Sequence, residues 1–204
     1  MAFTRNGYGQ VEPNQLSAQK TGQIYASLPL DPEVKVLQNG EFMYYDYATN
    51  KVSCTGTGEP MLVFNEIKLY EPFWRTSYKD FAMIRVGDNY VTSKLATDGY
   101  GDSALTTGAT IEHSDYQAGY RMDGIAPRLF KTNIGDIYTT NMVQTGEEVT
   151  YAQGDVLKLV KNNSSKTLVL SKTGSFIENS PEFVVAKVYT MPDGQPGLKL
   201  QRVK

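Results

Sequence analysis

Apolar and polar positions alternate along much of this chain with the period of two that marks strands, and the densest stretch is EPMLVFNEIKLYEPFWRTSYKD, Glu59 to Asp80. Pro60 opens it and Pro72 stops it, because proline removes a ladder donor and is excluded from central strands. Between them Met61-Leu62-Val63-Phe64 is unbroken apolar, and Ile67 and Leu69 then alternate. The parity changes at Asn65-Glu66, which predicts a bulge or a first half buried on both faces. Phe73 and Trp74 follow at once, and large rings supply much of the apolar area of a β core. Ser77 and Asp80 have the spacing of a capping box with Asp in place of Glu, predicting a helical turn over 76–81. Leu62, Phe64, Ile67, Trp74, Leu157, Leu159, Val184 and Val188 are the expected core.

Upstream, EVKVL-QNGE-FMYYDY-ATN-KVSC (33–54) reads as three strands joined by an Asn39-Gly40 hairpin turn and a second turn. Asn-Gly between alternating runs is the strongest short hairpin signal. Phe42, Tyr44, Tyr45 and Tyr47 put rings on both faces of the middle strand, so that strand is covered twice or one face is an interface. Residues 1–30 are polar, with isolated Phe3, Tyr8, Leu16, Ile24, Tyr25 and Leu28. Such a stretch cannot build its own core. The plain alternative is that it packs on its own domain; the expectation taken is an extended arm that orders across a neighbouring subunit, with a helical turn or two within 14–20 capped by Asn14. Thr55-Gly56-Thr57-Gly58 reads as a linker.

Met83–Val86 resumes as strand, and residues 87–124 then form a glycine-rich, core-poor excursion with short strands at Tyr90–Ser93 and Thr110–His113. From Ile125 onward strands recur every ~8–12 residues, the spacing of a sandwich or small barrel. The candidates are Arg128–Lys131, Asp136–Thr139, Glu148–Tyr151, Val156–Val160, Thr167–Leu170, Glu182–Thr190 and Leu198–Val203. The expected fold is all-β: a barrel or sandwich body over 31–204, with a hairpin layer at 31–58 and a core from 59–86 and 125–204.

Composition narrows the function classes. Twenty basic and 22 acidic residues are interspersed and leave a net charge of −2, which argues against a dedicated nucleic-acid binder. No apolar run approaches the ~20 residues of a spanning helix, and the start of the chain lacks the apolar region of a secretory signal. Cys54 is the only cysteine, so no internal disulfide forms, which fits a reducing compartment. His113 is the only histidine and sits in the irregular excursion, where it reads as a surface-loop residue. One Cys and one His cannot make the usual zinc sites. Asp98-Gly99-Tyr100-Gly101-Asp102 lacks the acidic ladder of a calcium loop. The glycines match no phosphate cradle, and Glu147-Glu148 has nothing to raise either pKa. No catalytic residue, cofactor or metal site is assigned. Tyr44, Tyr45, Tyr47 and Trp74 allow a sugar-stacking platform, against which core and interface packing is the plainer reading.

Three blocks have a familiar wording: RNGYGQVEPNQLSAQKTGQIYASLP; MLVFNEIKLYE with SYKDFAM; and APRLFKTNIGDIYTTN with VVAKVYTMPDGQPGLKLQRV. Together they cover roughly half the chain, and they resemble structural proteins in the virions of tailed bacteriophages. The resemblance implies a non-enzymatic virion component, a capsid decoration (cement) or minor head protein, assembled in the host cytoplasm. Its partners would be the major capsid protein and other virion subunits, with several copies of itself on the shell and no direct nucleic-acid or membrane contact. Interface contacts are then expected from Phe3, Tyr8, Leu16, Ile24, Tyr25, Tyr44 and Tyr45. The alternative is a tail or head-fibre adhesin that binds host glycans. Rings exposed on a concave face would favour the adhesin, and buried rings the cement protein.

Overall fold

The computed structural model describes residues 3, 5, 8–65, 82–86, 89–92, 126–146, 149–191 and 194–204. In chain order these form β1 (Val11–Gln15), the helical turn α1 (Ser17–Thr21), β2 (Ile24–Tyr25), β3 (Val36–Gln38), β4 (Phe42–Asp46), β5 (Lys51–Ser53) and β6 (Met61–Val63). They continue with β7 (Ala82–Val86), β8 (Asn89–Thr92), β9 (Leu129–Phe130), β10 (Ile137–Thr140), β11 (Val156–Asn162), β12 (Thr167–Ser171), β13 (Phe183–Thr190) and β14 (Pro196–Arg202). The all-β expectation holds. The main sheet runs β1-β10-β14-β13-β11-β12-β4-β6-β9-β2, antiparallel throughout, with β5 paired to β4. A smaller antiparallel sheet runs β3-β7-β8.

The two ends of the main sheet, β1 and β2, come from one short piece of chain. Laid flat at about 4.8 Å per strand, ten strands would hold the end strands roughly 43 Å apart. The link through α1, part helical and part extended, reaches only about 22 Å. The sheet must therefore curl, and it forms an antiparallel half-barrel. Its concave interior holds Phe42, Leu62, Phe130, Tyr138, Leu157, Leu159, Leu168, Phe183, Leu198 and Leu200, with Leu16 and Ala18 of α1 packed into the same core. A second core lies on the opposite face of β4, β6 and β9, where Met43, Tyr45, Val63 and Leu129 meet Val34, Leu37 and Met83. Even-numbered side chains of β4 and β6 thus serve one core and odd-numbered ones the other. This double cover explains the rings on both faces of β4 and the unbroken apolar run 61–64.

Several expectations are corrected. Asn39-Gly40 does not close a hairpin: β3 pairs with β7, and β4 pairs with β5, β6 and β12. Gly40, at φ +90°, turns the chain from one sheet into the other. The Asn39 amide is committed to Asn65, accepting from its backbone N–H at 2.7 Å and donating to its carbonyl at 3.1 Å. Val184 pairs with Gln201 on the outer face, so Phe183 and Val185 fill the core instead. A register shift between Val185 and Lys187 then breaks the alternation, and Val188 stands 41% exposed. Residues 149–151 are not strand, and β14 begins earlier than expected, at Pro196. Asn14 does not cap α1, whose N-cap is Leu16; it sits in β1 and accepts from the Thr139 hydroxyl at 2.7 Å. Ile67, Trp74, the 76–81 turn, the 110–113 strand and most of the excursion lie outside the described residues.

Residues 1–30 are the largest correction. β1 pairs with β10 and β2 with β9 within the same chain, and Phe3, Val11, Leu16 and Ala18 are buried in its core. The polar composition reflects strands that complete a sheet built from other parts of the sequence. Ser17 fastens the strap, its N–H and hydroxyl donating to the two Asp136 carboxylate oxygens at 3.1 and 3.0 Å. Asn133 in turn donates to the Ser17 hydroxyl at 2.7 Å.

One core group is mismatched with its surroundings. Tyr138 is fully buried, edge-on to Phe183 at 5.8 Å, and its hydroxyl has no partner among the described residues. Burial pushes its pKa well above the usual tyrosine value. An unpaired buried hydroxyl costs free energy, so Tyr138→Phe should raise stability by about 1 kcal/mol in urea denaturation. A loss of similar size would show that the hydroxyl has a partner in solution.

Candidate functional site

The residues expected to form an interface belong mainly to the seam of the strap. Phe3 is buried edge-on to Tyr151 at 5.4 Å, and its N–H donates to the Val149 carbonyl at 3.0 Å. Leu16, Tyr44 and Tyr45 are buried in the two cores, and Tyr8, Ile24 and Tyr25 are half-buried. Tyr25 and Tyr45 lie ring to ring at 5.2 Å, and the Tyr45 hydroxyl accepts from the Ser27 N–H. As an exposed interface this set is corrected: most of its apolar area is covered by the chain itself. His113 and the 98–102 segment lie outside the described residues. Cys54 is a half-buried thiol packed beside both cores. Among the described residues no three Asp, Glu, His or Cys side chains are placed to hold a metal ion.

One buried acid stands apart. Glu41, directly after the Asn39-Gly40 corner, is fully buried. One carboxyl oxygen accepts from the Gln38 N–H at 2.8 Å and the other from the Thr167 hydroxyl at 2.7 Å. Burial raises its pKa to about 7, against the lowering effects of Thr167, the Gln38 N–H and the Arg5 charge. A carboxyl poised near neutrality can serve acid–base chemistry. Here neither oxygen reaches solvent, and both bind the chain's own groups. Glu41 therefore pins the corner between the sheets to β12.

Comparison with known proteins finds no matching family model, no curated relative and no matching solved structure.

The surface feature with most chemistry is a groove of about 390 Å³ lined by Lys158, Phe176, Ser180, Glu182, Arg202 and Lys204. The alternation Val156-Leu157-Lys158-Leu159 sends Leu157 and Leu159 inward and Val156 and Lys158 outward. The loop after β12 folds back along β11: the Ile177 N–H donates to the Leu159 carbonyl at 3.0 Å, and the Leu159 N–H donates to the Ser180 hydroxyl at 2.7 Å. Asn179 takes the left-handed conformation at φ 53°, one asparagine tolerates well, and so helps turn the chain towards β13. Glu182 and Lys204 then pair through their backbones. Lys158 Nζ lies 2.9 Å and Lys204 Nζ 3.4 Å from the same Glu182 oxygen. The hydrogen bond from Lys158 holds the Glu182 carboxyl below its ordinary pKa. Lys158 also lies over the Phe176 ring, 5.8 Å from its centroid. Arg202, also in the lining, pairs with Glu59 and donates to the carbonyls of Thr132 and, at 2.9 Å, Lys204.

Apolar side chains flank this groove. Val156, Phe176 and Val203 are 41–44% exposed, and Val184 lies directly opposite Val156 on the outer face. Sequence reasoning singled out neither Phe176 nor the Lys158–Glu182 pair. Half the signal was present, since alternation alone puts Val156 and Lys158 on one face. The partner loop and β13 are remote in sequence, so nothing local announces the groove.

Proposed function

We propose that the chain is a non-enzymatic structural protein of a tailed-bacteriophage virion, a capsid decoration protein that binds the assembled head and stabilises it. The observation that carries this reading is the patch of partly exposed apolar side chains, Val156, Phe176, Val184 and Val203, around the Lys158–Glu182–Lys204 groove. That patch stands on an antiparallel body whose own N-terminal segment occupies both ends of the main sheet. A protein that acts by contact needs a stiff body and an apolar face with a polar rim. The resemblance of the three sequence blocks supports the same reading. The partners are the major capsid protein and other virion subunits, with many copies on one shell making weak single contacts effective. Among the described residues no helix is long and apolar enough to cross a membrane.

A partner that binds only the assembled shell stabilises it by mass action, by about 2.7 kcal/mol per site at a hundredfold excess over Kd. Purified protein added to capsids that lack it should therefore co-sediment with them in saturable, stoichiometric amounts. Protein left in the supernatant at all concentrations would remove this reading. The adhesin alternative retains one observation: Tyr47 is 68% exposed, its ring 5.2 Å from Tyr45. Of the other rings expected for sugar stacking, Tyr44 and Tyr45 are buried, and Trp74 lies outside the described residues.

A further inference from the structure

We infer that the Asn39-Gly40 corner is a latent deamidation site: the folded chain holds it unreactive, and a chain that has opened there long enough to react cannot close the corner again. This property belongs to the chain itself and holds with or without a virion partner.

Asparagine before glycine is the pair best suited to this reaction, because glycine has no side chain to hinder approach to its nitrogen. The deprotonated Gly40 nitrogen attacks Asn39 Cγ and closes a five-membered succinimide, while Nδ2 leaves as ammonia. Water then opens the ring to aspartate, or to isoaspartate, in which the main chain runs through the former side chain. No reagent besides water is needed.

Both nitrogens of that step are engaged in the fold. The Gly40 N–H donates to the Val63 carbonyl at 2.9 Å, which keeps on the nucleophile the proton it must lose. The Asn39 side chain is buried; its Oδ1 accepts from the Asn65 N–H at 2.7 Å, and Nδ2, the leaving group, donates to the Asn65 carbonyl at 3.1 Å. Both contacts reach the Asn65 main chain, so the amide stays turned away from Gly40 while the segment after β6 is in place. The N-terminal strap lies over the same corner. The Gly9 N–H donates to Gln38 Oε1 at 2.8 Å, and Gly9 packs so closely on the Asn39 carbonyl oxygen that a Cβ there would overlap it.

The same contacts exclude the products. At neutral pH and above, aspartate puts a carboxylate oxygen where Nδ2 now faces the Asn65 carbonyl, turning a hydrogen bond into a repulsion between oxygens. That charge would be buried without a partner, two residues from the buried Glu41. Isoaspartate lengthens the main chain by one carbon beside Gly40, where even a Cβ would run into Met142 Cβ and Thr140 Oγ1.

The test incubates the full-length protein at mildly alkaline pH, folded and in guanidinium chloride, and maps its peptides by mass spectrometry for amide converted to carboxyl. Asn6-Gly7, the other Asn-Gly pair of the sequence, calibrates the rate in denaturant. There Asn39 and Asn6 should convert at similar rates. In the folded protein Asn39 should convert at least about tenfold more slowly than in denaturant, because it reacts only from the open fraction. Chains deamidated at Asn39 should be depleted from the folded fraction recovered after dilution. The variant Asn39→Asp repeats the comparison without refolding, and it should melt well below the wild type. A smaller difference between folded and denatured rates would overturn the inference, as would an Asn39 that stays intact in denaturant while Asn6 converts. An Asn39→Asp variant as stable as the wild type would overturn it too.

Discussion

Deleting residues 2–27 is expected to unfold the β body rather than release a dispensable arm. The deletion removes β1 and β2, the strands at both ends of the main sheet, and exposes the edges of β10 and β9. It strips Phe3, Val11, Leu16 and Ala18 from the core. Burial of a large apolar side chain contributes about 1.5–3 kcal/mol. Three such losses approach the whole stability of a typical domain, about 5–15 kcal/mol. The Ser17–Asp136 and Asn133–Ser17 hydrogen bonds go with them. Circular dichroism of the truncated protein should show no cooperative melt. A milder variant grades the effect: Leu16→Ala, at a buried position beside Ala18, should cost about 2–5 kcal/mol. A truncated chain that melts within a few degrees of the full one would show the segment to be an appendage.

Glu41 should make the protein more stable at mildly acidic pH than at neutral pH. Its pKa is about 7 in the folded chain, against an ordinary value of 4.5. The folded state therefore holds this proton more tightly than the unfolded state. The stabilisation is fully present below 4.5 and is lost as pH rises through about 7. The shift corresponds to about 3 kcal/mol across that window. Glu41→Gln keeps the shape and removes the titration. Its amide can donate to the Thr167 hydroxyl, which lies 2.6 Å from the Ser165 hydroxyl and can donate onward. Urea denaturation of both proteins at pH 4.5, 6 and 8 isolates the contribution as their difference. The variant should gain on the wild type as pH rises and be the more stable protein at pH 8. A variant that loses ground with rising pH would show that the attraction of Arg5 outweighs burial.

What could be read in the sequence, and what could not, divides along local and tertiary lines. The strands β10 to β14 lay open in period-two alternation, and the doubly buried run 61–64 and the paired rings of β4 signalled a strand covered on both faces. The Asn39-Gly40 signal reads locally as a hairpin because a tight turn with positive φ looks the same whichever strands it joins. Only the pairing of β3 with β7, whose residues lie more than forty positions away, decides between a hairpin and a corner. The N-terminal stretch was too polar to build a core alone, but a strand that completes another segment's sheet needs few apolar residues. Val184 differs from expectation because Phe183 and Val185 take the inner face of β13, and Val188 because, past the register shift and opposite Leu198, it lies where the core no longer covers the strand. The groove escaped notice because Lys158, Phe176, Glu182 and Lys204 converge only through the folding of β11, the following loop and β14.

The most direct measurement of the proposed role is the thermal stability of capsids that lack this protein, followed by light scattering as purified protein is titrated in. If the chain is a decoration protein, the disruption temperature of the shells should rise with protein concentration and level off once the sites are filled. A disruption temperature that stays constant across a titration covering saturation would contradict a stabilising role on the head.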